Sequence, residues 1–167
     1  SWEPEAGIWA PDLNYINGKY VMYYSLSKWG GGATCGIGVS VSDKPEGPFT
    51  DQGKLFRSNE IDVHNSIDPF YIEDNGKKYL FWGSWYGIWG VELTEDGLGL
   101  KGGIENAKAT KIQVAANTGG TNAYEGSYIL KRGKYYYLFC STGTCCDGAN
   151  STYQTVVCRS TELFSPI

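Results

Sequence analysis

Three stretches of the chain share one alternation of apolar runs and turn dipeptides. The first runs Trp9-Ala10-Pro11-Asp12-Leu13, then Asn17-Gly18-Lys19, then Tyr20-Val21-Met22-Tyr23-Tyr24-Ser25. The second runs Ile67-Asp68-Pro69-Phe70, then Asn75-Gly76-Lys77, then Tyr79-Leu80-Phe81-Trp82-Gly83-Ser84. The third runs Glu125-Gly126-Ser127-Tyr128, then Arg132-Gly133-Lys134, then Tyr136-Tyr137-Leu138-Phe139-Cys140-Ser141. Aromatic and β-branched runs broken by a short polar turn predict strand, tight hairpin and strand, and Asn-Gly is the preferred hairpin dipeptide.

Each unit extends further. Ile37-Gly38-Val39-Ser40-Val41 leads into a Ser42-to-Pro48 segment, and Thr155-Val156-Val157-Cys158 leads into a Ser160-to-Pro166 segment of equal length. In the middle unit, the run Gly87 to Leu93 precedes a turn at Glu95-Asp96-Gly97. A third strand is therefore predicted in every unit, with room for a fourth. Four-stranded units recurring at a little under sixty residues predict an all-β fold, a β-propeller with about three blades in this chain. The blades are expected over roughly 8–60, 64–115 and 122–167, the last incomplete. Propellers close with four or more blades, so the pattern predicts a piece completed by the parent chain or by another copy.

Composition sharpens the all-β reading. The 167 residues hold six Trp, thirteen Tyr, six Phe and 23 Gly against one Met and one His, the balance of a sheet protein. A net charge of −4 leaves no basic surface for phosphates, which argues against a nucleic-acid partner but not against a neutral polymer. No apolar run is long enough for a membrane helix, and the sequence from Ser1 shows no leader pattern. Five cysteines without zinc-site spacing predict reduced, buried thiols rather than a disulfide framework, with at least one thiol unpaired.

The turn glycines supply a ruler for candidate chemistry. Eight residues before Gly18, Gly76 and Gly133 stand Ala10, Asp68 and Glu125. On an innermost blade strand these positions would converge on the central channel, which brings two carboxyls together. Asp12 has the same parity but lies deeper along the strand. Either acid would equally serve to cap a turn or pair with a base; the shared register is what favours a site. Two carboxyls beside aromatic rings suit glycoside hydrolysis, where a general acid must keep its proton at a pH that ionises ordinary carboxyls. Trp9, Trp85 and Trp89 are candidates to stack on sugar rings. His64 is either a loop residue or a ligand, Asn150-Ser151-Thr152 fits a glycosylation sequon, and Gly30-Gly31-Gly32 reads as a flexible loop over a blade end.

Taken together, Trp9 to Leu13, Asn65-Ser66-Ile67-Asp68-Pro69-Phe70, Glu125-Gly126-Ser127-Tyr128-Ile129, and Tyr135 to Ser141 with Cys145-Cys146 and Ser151-Thr152-Tyr153 resemble glycoside hydrolase family 43. The closest likeness is to its endo-1,5-α-L-arabinanase branch. That resemblance implies a five-bladed propeller cleaving α-1,5-linked arabinan with inversion, in a protein exported to the periplasm or cell exterior. Arabinofuranosidase or β-xylosidase activity, or non-catalytic binding of arabino-oligosaccharide, are the rival implications. By motif, Glu125 matches the general acid and Asp68 the carboxylate that tunes and orients it. Trp9, Asn65, Ile67, Ser84 and Trp85 would line the sugar cleft. No segment matches the family's general-base Asp, since Ala10 takes that phase in the first unit. No cofactor is implied within this chain, although the family allows a calcium or sodium ion at the centre of the complete propeller. The late-blade His that supports such an ion has no counterpart here.

Overall fold

In a computed structural model of the chain, residues 2–116 and 123–165 are described. The all-β expectation holds: three antiparallel sheets follow one another along the chain. The first comprises β1 (Gly7–Ile16), β2 (Lys19–Ser27), β3 (Gly36–Ser42) and β4 (Thr50–Arg57), paired in sequence order. A short helix α1 (Ser58–Ile61) leads to the second sheet of β5 (Phe70–Asp74), β6 (Lys77–Trp82), β7 (Ile88–Glu92) and β8 (Ile112–Ala115), with α2 (Gly103–Thr110) inserted before its last strand. The third sheet holds β9 (Glu125–Arg132), β10 (Tyr135–Thr142) and β11 (Gln154–Ser160). Pro166, which closes the second Ser-to-Pro segment, lies outside the described residues.

The hairpins form where the dipeptides place them. Ile16 pairs with Lys19 and Asp74 with Lys77, leaving Asn17-Gly18 and Asn75-Gly76 as two-residue loops. Both residues of each loop have positive φ (49° and 82°, then 51° and 75°), the geometry whose twist matches the flanking strands. The third loop differs. Arg132 pairs with Tyr135, so Gly133 occupies the first loop position and not the second.

Burial follows from strand alternation. Along β6, Leu80 and Trp82 enter one apolar cluster with Val21, Tyr23, Ile37, Val39 and Phe56 of the first sheet. Phe81, between them, points the other way into a cluster with Ile129, Tyr136 and Cys140 of the third. The middle sheet is thus buried on both faces. Trp89 belongs here as well: it packs on the first cluster and its Nε1 donates to the Tyr86 carbonyl, which removes it from the candidate sugar platforms.

Carboxylates tie the sheets at their edges. Asp12 of β1 accepts the backbone N–H of Tyr71 on β5 at 2.7 Å, so its role is to join sheets and it does not enter the cleft. Asp74 at the end of β5 is buried, accepts the Tyr136 hydroxyl of β10 at 2.8 Å and pairs with Lys131 of β9. Burial alone would raise the Asp74 pKa, but Lys131 and Tyr136 outweigh it and hold the carboxyl below its ordinary value. Its stabilising contribution is therefore present above pH ~4 and lost as pH falls through the lower folded value. Replacing Asp74→Ala strands the buried Tyr136 hydroxyl and is expected to cost about 1–3 kcal/mol in urea unfolding at pH 7. The gap from the unsubstituted chain should narrow below pH ~4; a pH-independent gap would contradict the assignment.

Candidate active site

The first strand of every unit carries a one-residue irregularity at the same place. In β1, Trp9 pairs with Ser25 and Asp12 with Tyr23, so one extra residue is accommodated at Ala10 (φ 42°). In the second unit, Gly83 N–H donates to the Ile67 carbonyl and Phe70 pairs with Phe81, which puts the extra residue at Asp68 (φ 60°). In β9, Glu125 pairs with Ser141 and Tyr128 with Phe139, placing it at Gly126 (φ 59°). A bulge of this kind re-aims the side chains beside it.

These bulges correct the glycine ruler. Asp68 is equivalent to Ala10 and Gly126, whereas Glu125 is equivalent to Trp9 and Ile67. The ruler slipped by one residue because Gly133 opens its loop while Gly18 and Gly76 close theirs. The two carboxyls nevertheless come together, and they do so from adjacent phases. The left-handed backbone at Asp68 turns its side chain toward the third sheet, where Oδ2 accepts the Gly126 N–H at 3.1 Å. Asn and Asp tolerate this conformation better than other side-chain-bearing residues.

Glu125 is held through both oxygens. The buried Ser84 hydroxyl donates to Oε2 at 2.7 Å and the Tyr153 hydroxyl to Oε1 at 2.7 Å. Ser84 also bridges to Glu125 through the backbone. Among the described residues no cation counters Asp68: burial first, and the Glu125 charge second, push its carboxyl up to about 6, against a smaller opposing effect of the Gly126 N–H. Tyr153 is raised above the ordinary phenol value by burial and by its hydrogen bond to Glu125, so the phenol stays a donor at neutral pH.

The pair lies in an open cleft of about 740 Å³. All seven residues expected from the sequence line it: Asp68 and Glu125, with Trp9, Asn65, Ile67, Ser84 and Trp85. Asn65 Nδ2 donates to the Ser84 carbonyl at 3.3 Å, and the Trp85 N–H donates to the Tyr124 carbonyl at 3.0 Å. His64 and the Gly30-Gly31-Gly32 loop, noted in the sequence, also line the cleft, whereas Trp29 and Tyr86 were not singled out by sequence reasoning. Trp29 packs against Trp9 with ring centroids 5.6 Å apart, and Tyr86 meets the edge of His64 at 4.5 Å. Gly32 lies so close to the His64 ring that a Cβ there would sit 2.7 Å from Nε2. Tyr153 was seen only as part of a motif, and nothing local announces its reach to a residue 28 positions away.

The cysteine expectation needs correction in one respect. Cys145 and Cys146 are joined by a disulfide and line the cleft, while Cys35, Cys140 and Cys158 are free thiols. The two lie in the loop between β10 and β11, where Cys146 has a left-handed backbone (φ 69°). Among the described residues no three His, Cys, Asp or Glu side chains converge, so no donor set is at hand for a central ion and no step is assigned to one. Among the same residues, no helix is long and apolar enough to cross a membrane.

Antiparallel sheets meeting around a paired-carboxyl cleft with aromatic walls define a class of protein, and the comparisons specify it. The chain belongs to glycosyl hydrolases family 43, whose model matches residues 1–167. It is 37% identical over 164 residues to arabinan endo-1,5-alpha-L-arabinosidase A of Aspergillus aculeatus, covering 93% of this chain and 49% of that protein. It is 34% identical over 160 residues to the extracellular endo-alpha-(1->5)-L-arabinanase 1 of Bacillus subtilis (95% and 47%). Among solved structures, the GH43 endo-arabinanase from Bacillus licheniformis superposes with a TM-score of 0.82 at 31% identity, over 99% of this chain and 56% of that one. An exo-1,5-alpha-L-arabinanase from a bovine ruminal metagenomic library gives 0.80 at 38% identity (98% and 55%). The chain thus spans about half the length of the curated relatives it matches.

Because the folded Asp68 pKa stands above its unfolded value of 3.8, near 6, its contribution to stability is complete below pH ~4 and lost as pH rises through ~6. Asp68→Asn keeps an acceptor for Gly126 and tolerates the left-handed backbone. At pH 7 it should be about 2–3 kcal/mol more stable to urea than the unsubstituted chain, with the advantage fading on acidification from pH 6 to 4. Equal stability at both ends of that range would sink the reading of Asp68 as a desolvated carboxyl.

Proposed function

We propose that this chain is the acid-bearing part of an inverting glycosidase that cuts α-1,5-linked arabinan. The observation that carries the reading is the Asp68–Glu125 pair: two carboxyls in one cleft, one of them raised to about 6 and the other gripped by two hydroxyls. In this reading Glu125 is the general acid. Ser84 and Tyr153 fix its carboxyl so that the proton is presented along one direction, toward the departing glycosidic oxygen. Asp68 orients the acid through the backbone beside it, since its carboxyl holds the N–H of Gly126, the residue that follows Glu125. Trp9, Trp85 and Ile67 offer apolar surface to the C–H faces of the sugars, and Asn65 offers polar contacts at the ring edge.

Inversion needs a second carboxylate across the sugar, separated by ~6.5–9.5 Å to leave room for water. Asp68 and Glu125 are the carboxyl-bearing residues among the described cleft lining, and Asp68 is occupied with the acid. The base is therefore assigned to parts of the protein beyond these residues. The three sheets are read as consecutive blades of a five-bladed propeller, over roughly 8–60, 64–115 and 122–167, closed by further blades of the parent chain or by a second copy. Arabinan as substrate is supported by the names of the fungal and Bacillus relatives and by a Cellvibrio cellulosa alpha-L-arabinanase solved in complex with arabinohexaose, 31% identical over 95% of this chain. The Bacillus subtilis relative is named extracellular, and we extend that location to the parent protein.

Hydrolysis of linear arabinan, with the anomer of the first product followed by NMR, tests the proposal. The parent protein should release the inverted anomer, and Glu125→Gln in it should lower kcat by about 10²–10⁴. The isolated 167 residues should bind without turnover; measurable cleavage by them would defeat the assignment of the base to another segment. An oligosaccharide blocked at its chain end separates internal from terminal cutting.

A further inference from the structure

We propose that the Cys145–Cys146 disulfide is itself a sugar-binding surface, forming the wall against which the leaving-group arabinose rests. This rests on the arabinan reading of the cleft. Both cysteines line the cleft beside Tyr153 and Glu125; Cys145 is half-buried and Cys146 exposed. A bonded pair presents two polarisable sulfurs with no thiol proton to hydrate. That surface suits the C–H face of a furanose as thioethers suit aromatic rings.

The loop that carries the pair is built to hold it still. Thr152 N–H donates to the Thr144 carbonyl at 3.0 Å, Thr144 N–H donates to Thr152 Oγ1 at 3.0 Å, and the two hydroxyls meet at 2.8 Å. Inside that closure, Asp147 N–H donates to Ser151 Oγ at 3.0 Å, and Gly148–Asn150 forms a single 3-10 turn. The residue that leaves the loop is Tyr153, whose hydroxyl lies 2.7 Å from Glu125 Oε1. The same short loop therefore sets the sulfur surface and anchors the acid. A sugar touching the sulfurs sits on the acid's side of the cleft, where the departing oxygen must be.

The three other cysteines are already thiols, so a reductant has one bond of this chain to act on. A dithiol breaks the Cys145–Cys146 bond and leaves two thiols, transferring two electrons and two protons as it closes to its own cyclic disulfide. In the parent protein, C145S/C146S is expected to raise KM for linear arabinan about tenfold while kcat changes less than about threefold and the Tm stays within a few degrees. On this isolated chain, dithiol treatment should weaken arabinohexaose binding by a similar factor, measured by calorimetry, and reoxidation should restore it. Unchanged KM in the double variant, or binding indifferent to reduction, overturns the proposal while leaving the arabinan reading intact. A KM rise matched by loss of Tm makes the pair a structural brace and also overturns it. A parent protein that neither binds nor cleaves arabinan brings down the arabinan reading first, and this inference with it.

Discussion

Asp68 is where the three sheets are tied together. Its own N–H donates to the Ser25 hydroxyl of the first sheet at 3.0 Å, its carboxylate accepts Gly126 of the third at 3.1 Å, and it leads directly into β5 of the second. A residue spanning that junction must have a backbone that leaves the strand and a side chain that crosses to the next sheet. The left-handed conformation at Asp68 provides both. The cleft exists because the sheets meet there, and its shape follows from where this one residue directs its neighbours.

The carboxylates of the fold separate by the company they keep. Asp74 has a lysine and a phenol against it and is held charged. Asp12 accepts from Tyr71 N–H and Asn14, yet burial still raises it. Asp68 has burial and a second carboxyl, with one amide in opposition, and is raised furthest of these toward neutral pH. Lys131 is what sets Asp74 apart: with neutral donors alone against burial, Asp12 and Asp68 are both raised. The apolar clusters on either face of the middle sheet, with Leu80, Phe81 and Trp82 fully covered, supply the stability that lets the fold tolerate such a group.

Much of this was legible along the chain. Asn17-Gly18 and Asn75-Gly76 specify their hairpins locally, because few other dipeptides adopt positive φ twice in succession. The continuous apolar run Tyr79 to Trp82 on β6 accords with its burial on both faces. The bulges were not legible: one extra residue in a strand leaves the apolar pattern nearly intact while it changes which side chain faces the cleft. The glycine spacing reached Glu125 through a one-residue slip, because Gly133 opens its loop while Gly18 and Gly76 close theirs. Trp89 failed as a sugar platform because tertiary packing, which its local sequence does not encode, claimed its ring. Tyr153 and the Cys145–Cys146 bond depend on a loop closure made by threonine hydroxyls, and hydroxyls of that kind look alike wherever they occur in a sequence.

The left-handed residues carry a further implication. Asn65, Asp68, Trp85 and Cys146 all line the cleft and all have positive φ, a conformation that costs a tryptophan or cysteine about 1–2 kcal/mol relative to a right-handed one. Glycine at Trp85 or Cys146 would relax the backbone and at the same time remove a wall of the cleft. Substitutions chosen for thermal robustness alone would therefore remove this surface residue by residue. Stability and function pull in opposite directions at these positions, and the boundary of the working surface is drawn where the backbone is least at ease.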